Sequence, residues 1–147
     1  MVWINIVVVL LAGAILPIQA GINAQLGRTS GSALWAAGIS FLIGTLALFI
    51  VFSGLRLPWP GLAQLKAEPL WIWSGGLLGA FFVTSMTYFA PKLGATSLVA
   101  LVIAGQLGTS LILDHYGSVG FNAQEINIWR IVGVLCIAIG IVLIRKF

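Results

Sequence analysis

Long apolar runs alternate with short polar interruptions along this chain, and the run lengths predict its elements. A helix that crosses a bilayer needs about 20 mostly apolar residues. Five stretches meet that length: about Trp3 to Gln25, Ala33 to Phe52, Leu70 to Phe89, Ala95 to Asp114 and Ile126 to Ile144. The interruptions carry turn chemistry. "GRTSGS" at 27–32 and "APKLG" at 90–94 predict short polar turns, and "HYGSVGFNAQE" at 115–125 predicts a glycine-containing loop. The longest connection, "SGLRLPWPGLAQLKAEP" at 53–69, has prolines and Trp59 that suit an interfacial segment. The pattern predicts an all-α integral membrane protein with five transmembrane helices, organised as one transmembrane domain over residues 1–147.

Composition agrees with the run lengths. The chain is 61% hydrophobic and 7% charged, with a mean hydropathy of +1.15, whereas a soluble domain averages about 25% charged residues. So few charges cannot cover a water-facing surface. The seven Lys and Arg do not cluster, which argues against nucleic acid as a partner and leaves them as topology markers. The single cysteine, Cys136, sits in an apolar run and reads as a small packing residue. No Lys or Arg precedes the first apolar run and no clear cleavage site follows it, so that run reads as a span rather than a signal peptide.

The charges bear on orientation. With five spans the N-terminal side, side A, receives Arg56, Lys66 and Arg130, while side B receives Arg28, Lys92, Arg145 and Lys146. Orientation follows Lys/Arg asymmetry, and three against four is almost none. This predicts a chain that inserts both ways and pairs as an antiparallel, dual-topology homodimer of ten helices; a fixed orientation set by other features is the alternative. Helices in lipid meet at small residues. Gly75 and Gly79 have GxxxG spacing, and Gly133 and Gly140 fall on nearly one face of the last run, which assigns that otherwise apolar helix to dimer or bundle contact.

Polar residues inside the runs are the candidates for function. Pro17 lacks an N–H and deprives the Gly13 carbonyl of its helical partner, so it marks a kink. Gln19 and Asn23 follow four residues apart, on one helical face. The fourth run repeats the pattern with Gln106, Ser110 and Asp114 at i, i+4 and i+8. Thr84, Ser85 and Tyr88 add hydrogen-bonding groups to the third. Asp114 is the only carboxylate close to a span; it can close its helix in solvent, or act as a gate or coupling site. Interhelical polar contacts contribute only about 0.6 kcal/mol on average, so helix packing alone is a weak reason for these amides, though it stays open. In an antiparallel pair, Asn23 of one chain comes level with Asp114 of the other, with Gln106 from both near the midplane.

"LPIQAGINAQLGRTSGSALWAAGISFLIGTL", with "WSGGLLGA", "PKLGAT", "GQLGTSLILDHYG" and "RIVGVLCIAIGIVLI", resembles the YdcZ-like inner-membrane family of the drug/metabolite transporter superfamily. The resemblance covers nearly the whole chain; its more specific elements are P-x-Q-x-x-x-N and G-Q…D-x-x-G. It implies a relative of the small multidrug resistance transporters with a fifth helix, in a family that includes single dual-topology chains. It also implies a multi-pass protein of the bacterial inner membrane, and it carries Pro17, Gln19, Asn23, Gln106 and Asp114 over as motif positions. One departure stands out. The multidrug relatives carry a glutamate in their first helix, and this chain has no Asp or Glu in its first three spans.

The expected function is therefore a secondary transporter, an exporter of a small polar or amphipathic metabolite or drug, working by alternating access as a homodimer in the lipid bilayer. Gln19, Asn23, Gln106, Ser110, Asp114 and Tyr88 would line the path. The alternative is a non-transporting membrane assembly protein whose polar residues pack helices. No nucleotide loop, metal-ligand spacing or paired nucleophile and base is present, and His115 is the only histidine. Neither enzymatic activity nor a cofactor nor a metal is expected.

Overall fold

The computed structural model describes residues 2–146; the side chain of Arg145, counted above among the side-B charges, lies outside the described set. The elements in chain order are α1 (Val2–Ser30), α2 (Ala33–Gly54), a short α3 (Leu62–Ala67), a 3₁₀ turn (Leu70–Ser74), α4 (Gly75–Leu93), α5 (Ala95–Tyr116) and α6 (Ile128–Lys146). The protein is an all-α integral membrane protein. Among the described residues four stretches are long and apolar enough to cross a bilayer: Trp3–Ser30, Ala33–Gly54, Leu70–Leu93 and Ala95–Tyr116. The apolar part of α6, Ile128–Ile144, is shorter. At 1.5 Å per residue it measures about 25 Å, against a hydrocarbon core of about 30 Å.

Two connections expected to be turns are mostly helix. Residues 27–30 continue α1, because polar side chains supply what the backbone lacks there: the Thr29 hydroxyl donates to the Gln25 carbonyl at 3.2 Å and the Ser30 hydroxyl to that of Gly27 at 3.5 Å. The turn shrinks to Gly31, which adopts φ +73°, and Ser32, whose hydroxyl oxygen accepts the Trp35 N–H and caps α2. At the other site α4 runs through Pro91 to Leu93. A proline this close to the helix end removes one late N–H without breaking the turns before it, and Gly94 at φ +75° ends the run. Pro17 likewise lies inside a helix assigned as continuous.

The chain divides into two compact units, Met1–Lys92 and Leu93–Phe147. In the first, α1 and α2 form an antiparallel hairpin and α4 packs alongside, parallel to α1. The register follows from two close approaches. A Cβ on Gly27 would lie 3.4 Å from the Ala33 Cα and 3.5 Å from the Thr87 methyl, and one on Gly79 would lie 3.1 Å from the Phe41 ring. Gly79 therefore receives Phe41 of α2, while Gly75, its GxxxG partner in sequence, meets nothing within 4 Å. The 53–69 connection folds back on α2: Trp59 stacks against Phe49, with ring centroids 6.0 Å apart, and meets Phe52 edge-on at 4.9 Å.

In the second unit α5 and α6 form a hairpin. Gly117 at φ +58° ends α5, with the Gly117 N–H donating to the Asp114 carbonyl and the Ser118 N–H to that of Leu113. Asn127 accepts the Arg130 N–H at 2.9 Å and caps α6, which is why the helix starts at Ile128 rather than Ile126. The loop returns so closely that a Cβ on Gly117 would meet Ala123 N at 3.1 Å and Ala123 Cα at 3.2 Å. Gly120, at φ +84°, has open space around its Cα. Gly117→Ala should therefore lower stability in detergent by more than the roughly 1–2 kcal/mol of a left-handed non-glycine residue. Gly120→Ala should lose only that backbone term, and equal melting shifts for the two variants would contradict this packing.

Candidate translocation site

Small residues on one face of α1 create the first half of the site. Ala20, Asn23 and Ala24 are buried and share a stripe, and Gly27 extends it. Across this face α1 meets α4 through side chains. The result is a narrow crevice lined by Leu16, Gln19, Ala20, Asn23, Phe82, Val83 and Met86, with a free volume of about 10 Å³. That is close to the minimum for one water. Asn23 is 4% exposed, and its Nδ2 has no hydrogen-bond partner. A buried donor left unpaired costs about 1–3 kcal/mol. Its buried neighbour Thr87 shows the ordinary solution, donating its hydroxyl to the Val83 carbonyl at 2.8 Å.

Gln19 joins this crevice to a larger one. It also lines a space of about 220 Å³ with Ser40, Phe41, Gly44, Thr45, Leu48 and Val83, between α1, α2 and α4. The structure thus brings Gln19 and Asn23 together and adds two hydroxyls, Ser40 and Thr45, that sequence spacing did not single out. Lone hydroxyls in an apolar run carry no periodic signal. Pro17 is half-buried two residues before Gln19, at the point where α1 begins to be covered. Tyr88 is not part of this grouping. It lines a separate groove of about 380 Å³ with Leu34, Ala80, Phe81, Thr84, Ser85 and Phe89. The Lys92 ammonium lies 3.5 Å from the centre of its ring, a cation–π contact at i, i+4.

The second unit holds the other candidates. Gln106 and Ser110 lie on α5 with their side chains exposed. Asp114 is neither free nor simply solvated: its carboxylate accepts the Arg130 guanidinium at 2.9 Å, with both side chains about three-quarters buried at 25% and 29% exposure. Arg130 also donates to the Gln124 side-chain oxygen at 2.6 Å, and the Gln124 N–H donates to the Asp114 carbonyl at 2.7 Å. One guanidinium therefore ties the end of α5, the loop and the start of α6. Arg130 was legible in sequence only as a charge near a span end; the signal that could have paired it is that one acid and one Arg flank the same glycine-containing loop. Gly133 and Gly140 on α6 have nothing within 4 Å of where a Cβ would stand.

Comparison with known proteins adds a second line of evidence. Residues 4–143 match the family model described as "Putative inner membrane exporter, YdcZ". The inner membrane protein YdcZ of Escherichia coli (strain K12) is 28% identical over 137 residues, covering 92% of this chain and 90% of that protein. No solved structure matches the chain.

The Asp114–Arg130 pair gives a double-mutant test. Asp114→Asn or Arg130→Gln alone leaves a partly buried charge unpaired and should cost roughly 1–3 kcal/mol, between the values for exposed and fully buried pairs. The double variant should recover part of that loss. Additive melting shifts would mean the pair does not brace the hairpin.

Proposed function

The chain belongs to the family described as "Putative inner membrane exporter, YdcZ", and from that premise we propose that it is a secondary transporter of a small polar or amphipathic solute. It is a carrier rather than an enzyme. Two copies in opposite orientation form the working unit, with α6 as the fifth span of each; its short apolar stretch is accommodated by local thinning of the bilayer. Alternating access then needs only that one half rock against the other around a central site, as in transporters built from inverted repeats.

The observation that carries this proposal is the unpaired Nδ2 of Asn23, buried between α1 and α4 in an otherwise apolar span. A polar group kept there at a cost to folding is explained by a task outside folding, such as receiving a solute. Gln19 lies in the same crevice and continues it toward the α2 hydroxyls. In the proposed dimer Gln106 and Ser110, exposed in the single chain, face the path. Amides do not titrate, so solute is held by hydrogen bonds whose strength does not change across physiological pH. Asp114 is engaged with Arg130 and braces the α5–α6 corner; a gate or coupling role for it would act by opening that pair.

The charge count supports dual insertion but does not require it. Gly133 and Gly140 are open along α6 and supply a face on which a second copy can pack closely.

Replacing Asn23 separates folding from transport. Asn23→Leu removes the unpaired donor, so the protein should melt at the same temperature or slightly higher, while saturable counterflow in proteoliposomes should fall at least tenfold. A stable variant with full flux would remove Asn23 from the path. Gln106→Leu should likewise abolish flux while insertion and dimerisation persist. Intact transport there would mean that α5 contributes no midplane contact.

A further inference from the structure

The charges around the first unit specify what kind of solute it can take. From residue 1 to residue 67 the chain contains no Asp or Glu, and within the first unit the only acid is Glu68, in the connection before the 3₁₀ turn. Two cations lie at the opposite end of that unit, where α1 and α4 finish: Arg28 in the last turn of α1 and Lys92 in the last turn of α4. The register places both at the same end of the unit, beyond the polar crevices along α1 and α4. Gly27 lies against Thr87, Arg28 is the next residue, and Lys92 is five residues beyond Thr87, about 7.5 Å further out along α4.

Among the described residues neither cation has a carboxylate partner. Arg28 donates to the Gln25 side-chain oxygen at 3.3 Å, and Lys92 sits over the Tyr88 ring; both contacts leave the positive charge uncompensated. Below them the crevice offers the unpaired Asn23 Nδ2, a donor in need of an acceptor. Asp114, the acid at the end of α5, is already paired with Arg130 in the other unit.

We infer that the transported solute is a small organic anion bearing a carboxylate, phosphate or sulfonate, drawn in by Arg28 and Lys92 and held in the polar crevices where Asn23 and Gln19 lie. This rests on the transport function proposed above. A cation meets two like charges at the Arg28 and Lys92 end, where α1, α2 and α4 carry no Asp or Glu and the unit's one acid, Glu68, lies in the connection at the other end, a repulsion strengthened by the low dielectric of the membrane. It also has no lone pair to offer Asn23. An amide can turn to present its oxygen instead, so the fixed charges, not the amide, set the sign of the cargo. In an antiparallel pair each side of the membrane would present Arg28 and Lys92 of one copy, so both mouths would select for the same sign.

Anionic phospholipid headgroups share this chemistry, so the experiment separates the two sources. The full chain is reconstituted in vesicles of phosphatidylcholine alone, which carry no net charge, and in parallel vesicles containing phosphatidylglycerol. Counterflow is measured with permanently charged probes: labelled p-toluenesulfonate and phenyl phosphate as anions, methyl viologen and tetraethylammonium as cations. Saturable counterflow of at least one anion and of neither cation is expected in pure phosphatidylcholine, weakening as salt rises. Arg28→Gln with Lys92→Gln should raise KM for the anion roughly tenfold or more, the scale of losing one charge-assisted hydrogen bond. Arg28→Lys with Lys92→Arg should restore it. Recovery of inserted dimer, checked for every variant, separates misfolding from loss of recognition. Counterflow of a cation overturns the charge assignment and leaves transport standing, whereas absence of counterflow for every probe and for a broad metabolite panel overturns both. A loss in the double glutamine variant that appears only with phosphatidylglycerol assigns the two cations to headgroups and also overturns the proposal.

Discussion

The packing of small residues on one face of α1 is the constraint on which the first unit depends. Gly27 lies against Ala33 of α2 and the Thr87 methyl of α4, and Ala20 and Asn23 share a narrow crevice with Val83 and Met86 of α4. Lipid tails are as apolar as the helices, so association gains little from burial of apolar area and rests on close contact between small residues. Placing an asparagine in that seam has a consequence that no surface position would have. The seam is close to the smallest space that holds one water, and among the described residues no protein acceptor pairs with the amide donor. The geometry that holds the helices together is therefore the same geometry that prepares Asn23 for a partner from elsewhere.

Electrostatics in the two units divide the labour differently. The second unit spends its acid on structure: Asp114, Arg130 and Gln124 lock the end of α5 to the start of α6 through bonds of 2.9 and 2.6 Å. The first unit has uncompensated cations at one end and neutral amides and hydroxyls within. α1, α2 and α4 carry no Asp or Glu, so in the transport function proposed above selectivity would come from hydrogen-bond geometry and from fixed charge at the mouth rather than from carboxylate protonation on those helices.

Some of this was legible in the residue order. Run lengths gave the helices because the bilayer sets a length and forces every backbone group into internal hydrogen bonds. The i, i+4 spacing placed Gln19 beside Asn23, since helical periodicity is local. Boundaries were less legible. Residues 27–30 and 90–93 read as turns by composition, yet Thr29 and Ser30 cap carbonyls with their own hydroxyls and Pro91 falls too near the helix end to break it. The last span came out shorter than its hydropathy implied because Asn127 caps it.

Sequence alone determined that the chain is a helical membrane protein, where its polar residues fall along each helix, and that its Lys and Arg are few and do not cluster. These properties depend on local periodicity and on composition, which the order of residues contains in full. Tertiary structure decided which polar groups find partners. Asp114 and Arg130 are sixteen residues apart and meet only because the loop folds back, Phe41 meets Gly79 only because α2 and α4 pack, and Asn23 stays unpaired only because of what faces it across the seam. Pairing is a property of the space between helices, and a linear pattern does not encode that space.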